Sequence, residues 1–353
     1  MNKHSLRHAF GNVAHGERRV AVAAPSRLPP RVLLPSSLGD SSSLFHEPWW
    51  LSAASGGHYC EATVTRGSQL VGRLPFVVKG ARGFRTLRMP AFTHVLGPIV
   101  ALERGKFQTR LTRRLSIVRE LIDQLPHSHF VKLAIDPSRE PAFAVADSLA
   151  FQERGYRVGL QCNFELQTSD SLETIWGGMS TEARQHIRVA EKQYTVVATE
   201  PEPFVQFYNH NSKIVRKTNQ IDSSTFHALH AECRVRGCGI ILAAKLPDGS
   251  MAAMTFLVWD KRRMYYLLAT RAKDARSGSA SLLIWYAVQR AKELGLIFDF
   301  DGVSSEGIAQ FYSGFGAGMT TRHIVSYSKP IYAAANFIRK TVFRPTNDTS
   351  NFT

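Results

Sequence analysis

Between Met264 and Gly302 the period of the apolar positions changes twice. Met264 to Ala269 is a short apolar run rich in aromatics, of strand length, and a polar loop follows it. Leu282, Leu283, Tyr286, Val288 and Ala291 then recur at helical spacing, and Leu296 to Asp301 closes the stretch as an alternating run. The pattern predicts strand, loop, helix and strand, with Lys292 and Gly295 marking the end of the helix. In the last strand, alternation puts Phe298 and Phe300 on one face and Asp299 and Asp301 on the other, the carboxylates roughly 7 Å apart. The loop Arg276-Ser277-Gly278-Ser279-Ala280-Ser281 falls where the helix starts. Its small residues predict first-turn N–H groups free to face an anion.

The same reading along the rest of the chain gives a helical start after Pro48, around Trp49, Trp50 and Leu51. Glu61 to Val78 reads as a hairpin turning at Arg66-Gly67-Ser68, Gln108 to Leu125 as an amphipathic helix, and Phe130 to Ile135 as a strand. In the second half, Ile240 to Ala244 and Met251 to Trp259 flank the turn Pro247-Asp248-Gly249-Ser250. The order of elements repeats, which predicts an α/β chain of mixed sheets in which two halves are diverged copies of one module. The expected division is a disordered basic arm over 1–43, a first domain over 44–160, a second over 161–330, and a C-terminal helix and tail over 331–353. Paired acids end only the second copy, so chemistry is expected there.

With 353 residues the chain can bury a sizeable core. A formal net charge of +16 narrows the partners to anions: nucleic acid, phosphorylated substrates, acidic glycans or a membrane surface. Arg73, Lys79, Arg82, Arg85, Arg88, Arg104, Lys106, Arg110, Arg113 and Arg114 collect in one region beside a single acid, Glu103. They read equally as a polyanion groove or as a solvated rim. Cys60, Cys162, Cys233 and Cys238 form no metal-binding spacing, so no metal is expected and buried free thiols are. No apolar run reaches membrane-spanning length and the first residues lack a secretory core, which gives the expectation of a soluble cytoplasmic protein.

The second half supplies the candidate chemistry. Ser180 is placed to cap a helix that carries Arg184, Arg188 and Lys192 in one stripe, just after Trp176 and its two glycines. The stripe reads as a solvated face or as a surface for an anionic substrate. Glu306 and Tyr312 follow the paired acids closely, on a short helix that breaks at Ser313-Gly314. Asp299, Asp301, Glu306 and Tyr312 are therefore the candidate catalytic groups.

The run from Trp176 to Lys192 (W-G-G-M-S-x-x-x-R-x-x-I-R-x-A-E-K), the segment S-G-S-A-S-L-L-I-W-Y-A, then F-D-F-D-G and Q-F-Y-S-G-F-G-A occur in that order. With F-H-E-P-W-W-L and L-V-G-R-L-P-F nearer the N-terminus, they resemble the FemAB-like branch of the GNAT acyltransferase superfamily, over about Leu44 to Pro330. The resemblance implies two tandem GNAT-like domains and transfer of an acyl or aminoacyl group to an amine of a sugar, glycan or peptide precursor. It places the phosphates of an acyl-CoA donor at Arg276, Ser277, Gly278, Ser279, Ala280 and Ser281, a loop with less glycine and fewer basic residues than is usual. It also assigns Trp176, Arg184, Arg188 and Lys192 to substrate binding, in cell-envelope or polysaccharide biosynthesis.

In that chemistry Asp301 is the expected base, with Asp299 raising its pKa by like-charge proximity. Tyr312 is the general acid, or Phe311 holds its register. Members similar to the cell-wall peptidyltransferases use aminoacyl-tRNA, which the +16 charge suits. No inserted helical hairpin of that kind is legible, so acyl-CoA is favoured and tRNA is the alternative. A non-catalytic, nucleic-acid-binding relative of the same fold is a third reading, and peripheral membrane contact stays open.

Overall fold

The computed structural model describes residue 38 and residues 43–342, except 82, 102–103, 138–140, 215–219, 276–277 and 304. The basic arm, apart from Leu38 and Ser43, lies outside the described residues, as do Arg276 and Ser277 of the loop. After a 3-10 turn at Leu44–His46, Pro48 opens α1 (Pro48–Ser55). The predicted hairpin is β1 (Cys60–Arg66) and β2 (Gln69–Ala81), followed by β3 (Phe84–Arg88) and β4 (Ile99–Val100). The amphipathic helix is α2 (Phe107–Asp123) and the next strand β5 (Phe130–Ile135). Then come α3 (Pro141–Gln152), β6 (Arg157–Leu166), α4 (Leu172–Gly178), α5 (Thr181–Glu191), β7 (Thr195–Ala198), α6 (Pro201–Ile214) and α7 (Ser223–Arg236). The chain finishes with β8 (Gly239–Lys245), β9 (Met251–Trp259), β10 (Arg263–Arg271), α8 (Ser279–Glu293), β11 (Ile297–Gly302), α9 (Glu306–Ser313), β12 (Gly318–Ser328) and α10 (Pro330–Val342).

The strands join one mixed sheet in the order β1-β2-β3-β5-β12-β6-β11-β10-β9-β8-β7, with β4 pairing off β2. The boundary drawn at residue 160 falls inside β6. The last strand, β12, crosses back to lie between β5 and β6, antiparallel to both. The halves are thus stitched by backbone hydrogen bonds rather than joined by a linker. The first helix crosses in the opposite sense: Trp50 is fully buried in a core built with Phe204, Phe226 and Phe256 of the second half, and its indole N–H donates to Thr93. Residues 44–55 therefore pack against the second half as well as the first.

The apolar run of β9 has no alternation because both of its faces are covered. Ala253 and Leu257 enter the core under α5 and α8, while Met254, Phe256 and Val258 enter the core under α6 and α7. A third core holds α2 and α3 against β1, β2 and β5. Part of the basic region is internal. Arg73 is only 4% exposed, paired with Glu61 at 3.2 Å, and Arg114 forms a bidentate pair with buried Asp147 at 2.7 Å. Of the four free cysteines only Cys233 is fully buried, whereas Cys60 and Cys162 are exposed, against the expectation of buried thiols.

His46 sits in the joint between the halves. Its Nε2 accepts the Gly97 N–H at 3.2 Å, and its Nδ1 lies 2.9 Å from Ser43 Oγ. The ring is therefore neutral, with its proton on Nδ1. Burial above all brings its pKa from 6.5 down to about 4. A base whose folded pKa is depressed contributes its full stability above pH 6.5 and loses it as the pH falls toward 4. We expect about 3 kcal/mol of stability to be lost over that window through this residue. Urea unfolding at pH 7.5, 6 and 5 reads it. A slope against pH that is the same in His46→Asn as in the wild type would count against it.

Candidate active site

The parallel strands β10 and β11 pair only through Arg263↔Ile297, Met264↔Phe298 and Tyr265↔Asp299. Beyond that point β10 stays with β9 as far as Arg271, and β11 turns to β6 through Asp301↔Phe164 and Gly302↔Asn163. A bulge on each side, at Tyr266/Leu268 and at Asp299/Asp301, bends the two strands apart. The sheet opens as a wedge at the C-terminal ends of two parallel strands, where α/β folds place their ligands. The helix connecting them, α8, begins at the same end.

Gly278 caps α8 with φ 96°, a conformation that glycine alone adopts without strain. It is also a site of close approach, because a Cβ there would lie 2.4 Å from the His186 carbonyl oxygen of α5. Ser279 and Ser281 are buried, and Ala280 is partly exposed. The N–H groups of the first turn are thus covered on one side by α5 instead of being open all round. The Ser279 hydroxyl is buried without a hydrogen-bond partner. A buried hydroxyl lacking a partner at the start of a helix suits an anionic group.

The paired acids take a form that alternation does not predict. Asp301 holds φ 73° at the bulge, and its N–H donates to Asp299 Oδ1 at 2.8 Å. Both carboxylates converge on Arg322 of β12, which is 2% exposed. Its Nη2 donates to the two Asp299 oxygens at 3.0 and 2.9 Å, and its Nη1 donates to Asp301 Oδ1. His94, from the β3–β4 segment of the first half, places Nδ1 3.1 Å from the same Asp301 oxygen. Burial pushes the Asp301 carboxyl up, but His94 and Arg322 outweigh it and hold the group well below the usual carboxylate range. The expectation that Asp299 raises the Asp301 pKa is corrected: Arg322 lies between the two charges. So acidic a carboxylate is a weak base at neutral pH.

Tyr312, on α9, packs against Phe300 with ring centroids 4.8 Å apart and against Tyr266 at 6.5 Å. Burial first, then the charges of Asp301 and Asp299, push its phenol up, so it is protonated at neutral pH. The helix is held by a dock between two glycine turns. Ser180 N–H donates to the Gly314 carbonyl at 2.8 Å, and a Cβ on Gly316 (φ 77°) would lie 3.1 Å from the Gly178 carbonyl oxygen. Phe311, the alternative in register, packs on Phe315. Glu306 is not drawn into the cluster; it is exposed and accepts from Gln310 at 3.3 Å.

The proposed substrate-binding set is spread along α4 and α5. Trp176 packs on Trp285 at 5.1 Å with the Arg188 guanidinium 5.5 Å over its ring. Arg184 turns back to the Gly177 carbonyl at 3.4 Å, and Arg188 and Lys192 are exposed. His94 and Arg322 were missed in the sequence. Arg322 carried one usable signal, a lone charge inside a run of strand formers (Thr320, Thr321, Ile324, Val325), whereas nothing marked His94.

Residues 178–308 match the family model described as an acetyltransferase (GNAT) domain. Among solved structures the chain is similar to FemX, at 12% identity with a TM-score of 0.62, over 84% of this chain and 95% of that one. It is less similar to a conserved protein of Bacteroides thetaiotaomicron (11%, TM-score 0.49, 80% and 90%) and to L-PGS of Bacillus licheniformis (14%, 0.48, 83% and 90%). A search of curated proteins returned no match. Residues 178–308 are thus an acetyltransferase (GNAT) domain, and the wedge beside α8 lies within it. The chain shares its fold with FemX.

Proposed function

We propose that the protein transfers an acyl group from an acyl-CoA to a primary amine of a sugar, glycan or peptide precursor. The observation that carries this reading is the wedge between β10 and β11, which opens toward the start of α8 and has Tyr312 on its flank. In such a reaction a site must remove a proton from the amine and supply one to the departing sulfur. Tyr312, kept protonated by burial and by the neighbouring acids, is suited to the second task. Ser279 and the first-turn N–H groups of α8 would hold the donor phosphates, with Arg276 and Ser277 beside them in the sequence.

Aminoacyl-tRNA is the second donor to consider, favoured by the +16 charge and by exposed Arg188 and Lys192 on α5. Calorimetry of the full chain with acetyl-CoA and with bulk tRNA, at two salt concentrations, separates the two. Saturable binding of acetyl-CoA is expected. Salt-sensitive binding of tRNA with no response to acetyl-CoA would replace the first reading by the second.

A further inference from the structure

Two described residues other than glycine hold a positive φ, Phe92 at 55° and Asp301 at 73°. Each such conformation is strained and persists only where its surroundings enforce it. These two come from opposite halves of the chain, yet they flank a single contact. His94 follows Phe92 by two residues, and its Nδ1 lies 3.1 Å from Asp301 Oδ1. The backbone is strained on both sides of one imidazole–carboxylate pair.

The rest of the arrangement fixes the direction of that pair. Asp301 is held by Arg322, which is itself buried and held by both oxygens of Asp299. The carboxylate therefore stays ionised and acts as an acceptor, not as a base. The His94 side chain is 12% exposed and its Nδ1, the atom that faces Asp301, is buried. The Phe45 ring lies against it with centroids 5.4 Å apart. A proton on Nδ1, facing Asp301, leaves the lone pair on Nε2, away from the carboxylate. The pair is at contact distance without the alignment of a closed hydrogen bond, as catalytic pairs often are before substrate is bound.

We propose that His94, oriented through Nδ1 by Asp301, is the base that removes the proton from the acceptor amine, so that the two halves build one catalytic site. This rests on the acyl-transfer reading. As the amine nitrogen forms its bond to the acyl carbon, its proton passes to Nε2. The carbon–sulfur bond breaks and the sulfur takes the proton of Tyr312. The imidazolium then gives up its proton, through water, to restore the phenol, and no other reactant is consumed. Asp301 is a positioning residue in this scheme, and the charged groups around the pair are Asp299, Asp301 and Arg322.

The test begins with wild-type thiol release from acetyl-CoA in the presence of a panel of primary amines, read as kcat/KM against pH beside donor binding. His94→Gln is expected to lower kcat by about 10²–10⁴-fold, to leave acetyl-CoA affinity unchanged, and to abolish the acidic limb of the profile. Asp301→Asn is expected to shift that limb. A His94→Gln enzyme within about threefold of wild type, with its acidic limb in place, overturns the proposal. If the wild type neither binds acetyl-CoA nor releases thiol, it is the acyl-transfer reading that has failed. The pair is then judged by long-range ¹H–¹⁵N imidazole spectra of the folded protein, with His94 assigned by its loss in His94→Gln. The Nδ1–H tautomer, redistributed in Asp301→Asn, is expected; an Nε2–H tautomer in the wild type overturns the pair whatever the activity.

Discussion

Replacing Arg322 by Met is expected to destabilise the protein by about 3–5 kcal/mol, the largest single loss we foresee outside the apolar cores. Arg322 is 2% exposed and Asp299 3%, so the substitution strands a buried carboxylate that water cannot reach. Breaking a pair is not the same as replacing it. Arg322→Met combined with Asp299→Leu removes the orphaned charge and should recover much of the loss, because two apolar groups of similar volume need no partner. Equilibrium urea unfolding of the two variants beside the wild type reads both effects. A single variant that loses less than about 1 kcal/mol would show that water reaches the cluster after all.

The second large effect concerns rate rather than stability. Tyr312→Phe removes one hydroxyl and keeps the ring contacts with Phe300, Tyr266 and Phe164, so the fold should be unaffected. A departing thiolate would then lack its proton donor, and kcat is expected to fall by about 10²–10³-fold with little change in the KM for acetyl-CoA. Single-turnover thiol release distinguishes this loss from slow product release. A Tyr312→Phe enzyme of normal kcat would remove the phenol from the chemistry and leave solvent as the proton source.

Local pattern located the elements that build the site. The strand, helix and strand from Met264 to Gly302 appear as β10, α8 and β11, and the hairpins of both halves fall where their turns put them. These are the parts whose residues interact with near neighbours in the chain, through caps, turns and one buried face. The reading of Asp299 and Asp301 as two free acids failed for a reason that is itself physical. Alternation assumes an unbroken ladder, and the bulge at Asp301 breaks it. The basic region was ambiguous in the sequence because charge says nothing of pairing, and the partners of Arg73 and Arg114 lie 12 and 33 residues away.

The sequence by itself determined that this is an α/β chain with an anion-suited helix start, a protonatable tyrosine and two acids close together in the second half. Only the tertiary structure decided what the acids are. Arg322 returns from the far end of the chain on β12, and His94 arrives from the first half, so the charge state of Asp301 depends on residues 21 positions after it and 207 before it. Electrostatic interaction in a desolvated site falls off with distance through space, not along the chain, and no pattern of neighbouring residues encodes it.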